Sequence, residues 1–210
     1  MLAKFFKAMI VSKLNKSRKV LLLVVTMVSG LNLAAQNYSG NESVKARQWV
    51  DSVYNALSDV ERIGQLMMIR AKSTGDTAEY RVVADLVKQY NLGGICFFQG
   101  GPVRQALLTN YYQSLAKTPM FISMDAEWGL GMRLDSTISF ARAMTLGAVT
   151  DTSLIAECGY QIGMQLKRLG VHIDFAPVVD INSNPANPII NIRSYGEDPE
   201  SVILRAGSFN

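Results

Sequence analysis

Two stretches of the chain concentrate side chains able to act on a polar ligand. The first runs Asp125-Ala126-Glu127-Trp128-Gly129-Leu130-Gly131-Met132-Arg133-Leu134-Asp135 and follows the apolar segment MFISMD, Met120–Asp125. It combines carboxylates, an aromatic ring and an arginine. Carboxylates accept from ring hydroxyls, a guanidinium donates paired hydrogen bonds, and an aromatic face covers the apolar side of a sugar. Those types suit a polyhydroxylated ligand. They suit equally a loop on a solvated edge, tied by an ion pair such as Glu127 with Arg133. The second stretch runs from Phe175 to Pro199 and carries Pro177, Asn182, Pro185, Asn187 and Pro188. Prolines and asparagines of this density fix an irregular backbone, and long loops of that kind usually carry function. Within it Asp180 is either a general acid or base or a carboxylate bonded to loop amides. Asp198-Pro199 has the form of a helix cap followed by a first-turn proline.

Other chemistries lack their residues. The cysteines are Cys96, in the apolar run GGICFF, and Cys158, in a helix-like stretch, and no CxxC occurs. They read as two separate core thiols, with a bridge left open. The single histidine, His172, lies in an apolar strand-like run without a GxSxG serine motif, so zinc ligation and a serine triad both want for partners. His172 reads as a satisfied strand residue. Gly129-Leu130-Gly131 lacks the third glycine and the first-strand position of a dinucleotide loop.

The elements that must position these residues alternate. Val44, Val50, Val53, Tyr54 and Leu57 recur at helical spacing, and Ser58-Asp59-Val60-Glu61 is a capping box. Strands are expected at Leu66–Ala71, Gly93–Phe98, Met120–Asp125 and Val171–Pro177. Helices are expected at Ala78–Tyr90 (Val82, Val83, Leu86, Val87 and Tyr90 inward), Pro102–Ala116, Thr152–Leu169, and from Pro199 with Val202, Ile203, Ala206 and Phe209 on one face. Short apolar strands separated by helices predict an α/β fold with a parallel sheet buried on both faces. The first three strands start 27 residues apart, enough for one strand and one crossover helix. The longest connection follows Asp125, where parallel α/β folds keep their ligands. With about four strands, the pattern matches the first half of a (β/α)8 barrel, truncated.

Charge separates the amino terminus from the rest. The chain of 210 residues carries a net +4, but residues 1–35 hold six bases and no acid, leaving 15 bases against 17 acids. A mildly acidic body removes the electrostatic case for nucleic-acid binding. The basic start, the apolar run Val20–Val28 and the small residues before Ala35 have the layout of a secretory signal, and residues 36–43 read as a linker. Export to the periplasm or exterior is therefore expected, with no stable membrane span once the signal is removed.

The segments IDFAPVVDINSNPANPIINIRSYGEDPE (Ile173–Glu200) and ISMDAEWGLGMRL (Ile122–Leu134) together resemble the N-terminal barrel domain of glycoside hydrolase family 3. The likeness extends from about Val44 to Asn210, and LSDVERIGQLMM (Leu57–Met68) is similar to the family's usual opening. The family includes β-glucosidases and bacterial β-N-acetylglucosaminidases. The resemblance implies that Asp125 binds hydroxyls of a terminal sugar and that Arg133 and Arg193 hold the same sugar. DAEWG is similar to the DxEGG-like form of the N-acetylglucosaminidase branch, with Trp128 in place of a glycine. In SFARAMTLGA (Ser139–Ala148), Ala141 stands where relatives commonly have proline. The family's Lys-His pair, its nucleophilic aspartate and that branch's acid/base histidine have no counterpart up to Asn210, so no catalytic residue is assigned. The resemblance thus implies, for the intact protein, a retaining exo-glycosidase that releases terminal β-linked N-acetylglucosamine without metal or cofactor. A β-glucosidase of the same family and a non-catalytic sugar-binding module are the alternatives. The 210-residue chain alone is expected to hydrolyse little, and further domains are expected beyond Asn210.

Overall fold

The computed structural model describes residues 44–210, so the expected signal (1–35) and linker (36–43) lie outside the described residues. The chain divides into two units, the first ending at Ala56 and the second spanning Leu57–Asn210. The described part of the first is helix α1, Val44–Ala56, the helix its apolar spacing predicts. No described helix is long and apolar enough to cross a membrane.

The second unit opens on the capping box. Glu61 N–H donates to Ser58 Oγ at 3.3 Å and Ser58 N–H to Glu61 Oε2 at 2.9 Å, starting helix α2, Asp59–Gly64. Lys117 also pairs with Glu61, and these bonds hold that carboxyl down at about 2. There follow β1 (Met68–Ser73), α3 (Thr77–Tyr90), β2 (Gly94–Gly100), α4 (Pro102–Leu115), β3 (Phe121–Met124), the short α5 (Ala143–Gly147), α6 (Thr152–Arg168), β4 (Ile173–Asp174) and α7 (Pro199–Phe209). The four strands form one parallel sheet in the order β1-β2-β3-β4. A doubly wound sheet reverses its strand order at a switch point; this one steps in a single direction, as a barrel does.

The boundaries differ from the sequence expectation where backbone donors are already spent. Strand β1 starts at Met68, not Leu66, because Leu66 and Met67 N–H donate at 3.0 Å to Ile63 and Gly64 carbonyls in the turn closing α2. Strand β4 is shorter than Val171–Pro177. His172 and Phe175 N–H still reach Ile122 and Met124 carbonyls, but Pro177 has no N–H to continue the ladder. Two expected core residues face out: Val82 is 59% and Ile203 72% exposed. The buried stripe of α3 is Val83, Ala84 and Val87, and that of α7 is Val202, Ala206 and Phe209. Adjacent residues lie about 100° apart around a helix, which carries Val82 and Ile203 off those stripes.

Ile95, Phe97, Ile122, Met124, Ile155 and Ile162 are fully buried in the core. Phe97 stacks on Tyr112 of α4, with ring centroids 6.5 Å apart, and burial lifts the Tyr112 hydroxyl well above its ordinary value. Cys96 and Cys158 are free, half-buried thiols, both raised by burial. The turn from α3 into β2 passes so close to α2 that Gly93 N–H bonds Gly64 carbonyl at 2.9 Å. A Cβ on Gly93 would lie 1.9 Å from Gln65 O, and backbone cannot swing aside as a side chain can. Gly93→Ala should therefore cost about 1–3 kcal/mol by overpacking. Urea denaturation checks this, with Gly163→Ala, where nothing lies within 4 Å, as the tolerated control.

Candidate functional site

Because β2, β3 and β4 run parallel, their carboxyl ends open on one rim, and the polar residues of both long loops collect there. Asp125 is the first residue past β3. Its partner Arg133 follows the 3₁₀ turn Leu130–Met132 and is placed by that turn's hydrogen bonds. Arg133 O accepts Gly100 N–H at 3.1 Å, and Asp135 N–H donates to Gly100 O at 2.9 Å, strapping the loop to the end of β2. From there the Arg133 guanidinium pairs with Asp125 and lies 4.3 Å above the Phe98 ring, a cation–π contact. Its Nε is buried with no hydrogen-bond partner among the described residues.

The second pair joins the two loops across 66 residues. Arg193 Nε lies 3.0 Å from both Glu127 oxygens and Nη2 lies 2.7 Å from Oε1. Glu127 is the more buried partner, its side chain 7% exposed against 34% for Arg193, and the pairing raises the Arg193 guanidinium further. Arg193 sits in a 3₁₀ turn, Asn191–Arg193. That turn is tied down next door, where Ser194 Oγ donates to Asp180 O at 2.6 Å and Asn182 N–H to Gly196 O at 2.9 Å. Forked arginine–carboxylate pairs add geometric specificity to charge, so Arg193 is held in place across the two loops.

All three residues expected from sequence (Asp125, Arg133 and Arg193) therefore meet at this rim. The ion pair foreseen between Glu127 and Arg133 does not form; each has another partner, since the 3₁₀ turn carries Arg133 back toward Asp125. Asp180 is exposed, and its backbone carbonyl, not its carboxylate, receives the loop's hydrogen bond. The Gly129 and Gly131 amides are spent internally, on Ala126 O at 2.8 Å and on Ile138 O at 3.1 Å, and so are not free to cradle a phosphate. Asp198 caps α7 through Ser201 N–H at 2.8 Å, ahead of Pro199. His172 is satisfied as expected, its Nδ1 accepting from Ile122 N–H at 2.9 Å.

Sequence reasoning missed three contributors. Glu127 was seen without its distant arginine, a contact no local spacing announces. Phe98, the end of GGICFF, is expected only as the last residue of a strand. Asp174 is a partly buried carboxylate of β4 accepting Ala126 N–H at 2.9 Å; an acid inside an apolar strand run is rare enough to have flagged it. Burial, with Asp125 and Glu127 close by, lifts Asp174 to about 6. Trp128 presents one face to Arg142, 4.0 Å from its centroid. A separate cavity of about 640 Å³ between α4 and α6 is lined by Val103, Leu107, Leu130, Ile138 and Leu169, among others, and by none of the charged groups of the rim.

Residues 59–209 match the family described as "Glycosyl hydrolase family 3 N terminal domain". Beta-hexosaminidase A of Pseudoalteromonas piscicida is 35% identical over 138 residues, which are 60% of this chain and 23% of that protein. Among solved structures, "Beta-glucoside phosphorylase BglX bound to 2FGlc" aligns with a TM-score of 0.73 at 28% identity, over 80% of this chain and 30% of its own. A β-N-acetylglucosaminidase of Paenibacillus sp. str. FPU-7 aligns with a TM-score of 0.65 at 32% identity, over 73% of this chain and 30% of its own. The chain thus spans less than a third of each of these proteins.

Two outcomes follow from the geometry. Glu127→Ala leaves the Arg193 guanidinium unpaired in a partly closed cleft and should cost about 1–3 kcal/mol in a urea melt, less at high salt. For Asp174 the folded value, about 6, lies above the ordinary 3.8. Its ionisation therefore opposes folding: the cost is complete above about pH 6 and is relieved as pH falls toward 3.8. Stability should rise by about 1 kcal/mol or less from pH 7 to 5 once discounted for partial exposure, and Asp174→Asn should abolish that rise. Glu61 acts oppositely, its contribution lost only below its ordinary 4.5, outside this window.

Proposed function

The chain belongs to glycoside hydrolase family 3, and on that premise we propose that the intact protein is an exported, retaining glycosidase removing terminal β-linked N-acetylglucosamine. The single observation that carries this reading is the convergence of two arginine–carboxylate pairs, Asp125–Arg133 and Glu127–Arg193, on the rim of the parallel sheet. Asp125 accepts from hydroxyls of the non-reducing sugar, while Arg133 and Arg193 donate to its oxygens. Glu127 holds Arg193 in line. Arg133 commits Nη2 to Asp125, and a guanidinium carries five N–H donors in all, which leaves it others to offer a ligand.

Fixing the terminal sugar in this way contributes through orientation, since a correctly held reactant needs no further loss of freedom to react. Retention further requires a nucleophile that attacks the anomeric carbon and a second group that protonates the leaving oxygen, then activates water. We assign both to sequence beyond Asn210, in keeping with the greater length of the relatives. N-acetylglucosamine is preferred over glucose because DAEWG has the form of the N-acetylglucosaminidase branch and two of the relatives are named for hexosaminidase or N-acetylglucosaminidase activity. The glucoside-acting neighbour keeps a β-glucosidase as the rival. Export rests on the layout of residues 1–35 and binding of a carbohydrate on the rim chemistry.

The test compares release of 4-nitrophenol from its β-N-acetylglucosaminide and its β-glucoside by the intact protein. Preference for the first by at least tenfold in kcat/KM is expected. A reversed preference makes the protein a β-glucosidase, and turnover of neither leaves a sugar-binding module. Arg193→Ala should lower kcat/KM at least tenfold, a loss of about 1.4 kcal/mol or more in transition-state stabilisation.

A further inference from the structure

Asp174, a carboxylate of the rim, has no ion-paired cation among the described residues. Asp174 ends β4, opposite Met124 in the ladder. On that strand His172 and Phe175 N–H donate to Ile122 and Met124 carbonyls at 2.8 and 2.9 Å. Strand β3 ends at Met124, and the amide of Ala126 just beyond it donates to Asp174 Oδ1 at 2.9 Å. The carbonyl of the same residue accepts Gly129 N–H at 2.8 Å. Ala126 is fully buried and stands between Asp125 and Glu127, the two carboxylates that hold the arginines. It is thus a pivot pinned at both backbone groups, with a side chain from another strand supplying one pin.

We infer that Asp174 is the positioning residue of this cleft: by holding the Ala126 amide it fixes the directions in which Asp125 and Glu127 leave β3, and through them it sets the affinity for sugar. The inference rests on the cleft being the sugar site proposed above. A charged acceptor binds an amide about twice as strongly as a neutral one, so the pin is tightest with Asp174 ionised. The charged groups around it are Asp125 and Glu127 on the loop after β3, with Arg133 and Arg193 beyond them. His172 is two residues earlier on its own strand, and the Cys96 thiol is near Asp125 and Arg133. Protonation near pH 6 weakens the pin without removing it, and Asp174→Asn reproduces that neutral state permanently. Asp174→Ala removes the acceptor altogether.

The experiment uses the intact protein and two readouts. Titration calorimetry with N-acetylglucosamine, from pH 5 to 7.5, gives the affinity. Hydrogen exchange at pH 7, followed by mass spectrometry on the peptide spanning Met124–Trp128, reads the Ala126 amide without any ligand. The wild type should bind about three- to tenfold more weakly at pH 5 than at pH 7. Asp174→Asn should show that weaker affinity at every pH, which assigns the step to Asp174 and not to His172. Asp174→Ala should bind at least tenfold more weakly than wild type at pH 7, and its peptide should exchange at least tenfold faster. Wild-type affinity or wild-type exchange in Asp174→Ala overturns the inference, as does a pH step that survives in Asp174→Asn. Should Asp174→Ala fail to fold, the wild-type and Asn profiles decide alone. If the wild type binds neither N-acetylglucosamine nor glucose, the sugar-site reading falls, and the exchange rates still show whether Asp174 holds the loop.

Discussion

Parallel pairing in unbroken order is the constraint from which the rest of the molecule follows. Each strand of such a sheet ends on the same rim, so any residue placed just past a strand is delivered to a common cleft whatever its distance in sequence. The register makes this specific: Met124 stands opposite both Phe97 and Asp174. Phe98, Asp125 and Asp174 therefore leave adjacent strands at neighbouring levels. Helices α3 and α4 pack on the sheet, and Phe97, Ile122 and Met124 are fully buried in the strands that end at the rim. A rigid floor of this kind is what allows charged side chains above it to hold one geometry.

What stands on that floor is a set of charges arranged to be stable while empty. Asp125 and Glu127 each pair with one guanidinium, with Asp174 beside them, and each arginine comes from a different loop. Arg133 is anchored through β2 and Arg193 through the hydrogen bonds around Ser194. Splitting the cations between loops costs conformational entropy on folding and returns preorganisation, since neither guanidinium needs to be recruited when a ligand arrives. The odd carboxylate, Asp174, is held at an energetic disadvantage in its charged form, the pattern expected where a group is kept for position and not for stability.

Much of this is legible in the amino-acid sequence. Alternating apolar runs and amphipathic helices announce the parallel sheet, and Ser58-Asp59-Val60-Glu61 and Asp198-Pro199 mark helix starts that the backbone adopts, because caps act within one turn. Asp125, Arg133 and Arg193 could be named because their neighbouring sequence resembles a family. Their partners could not: Glu127 with Arg193, and Asp174 with Ala126, are joined by tertiary pairing that local spacing does not encode. The same limit explains the strand ends, where Leu66 and Met67 look like strand but donate to the turn before it. It also explains Val82 and Ile203, apolar residues whose exposure depends on which way their helices roll against the sheet.

The central claim is that the rim between β2 and β4 holds the terminal sugar of a glycan. A crystal of the intact protein soaked with N-acetylglucosamine tests it most directly. The account predicts one sugar in this cleft, with its hydroxyls within hydrogen-bond distance of Asp125, Arg133 and Arg193 and the Glu127–Arg193 fork unbroken. A sugar found elsewhere, for instance in the apolar cavity between α4 and α6, with these three residues untouched, would contradict it.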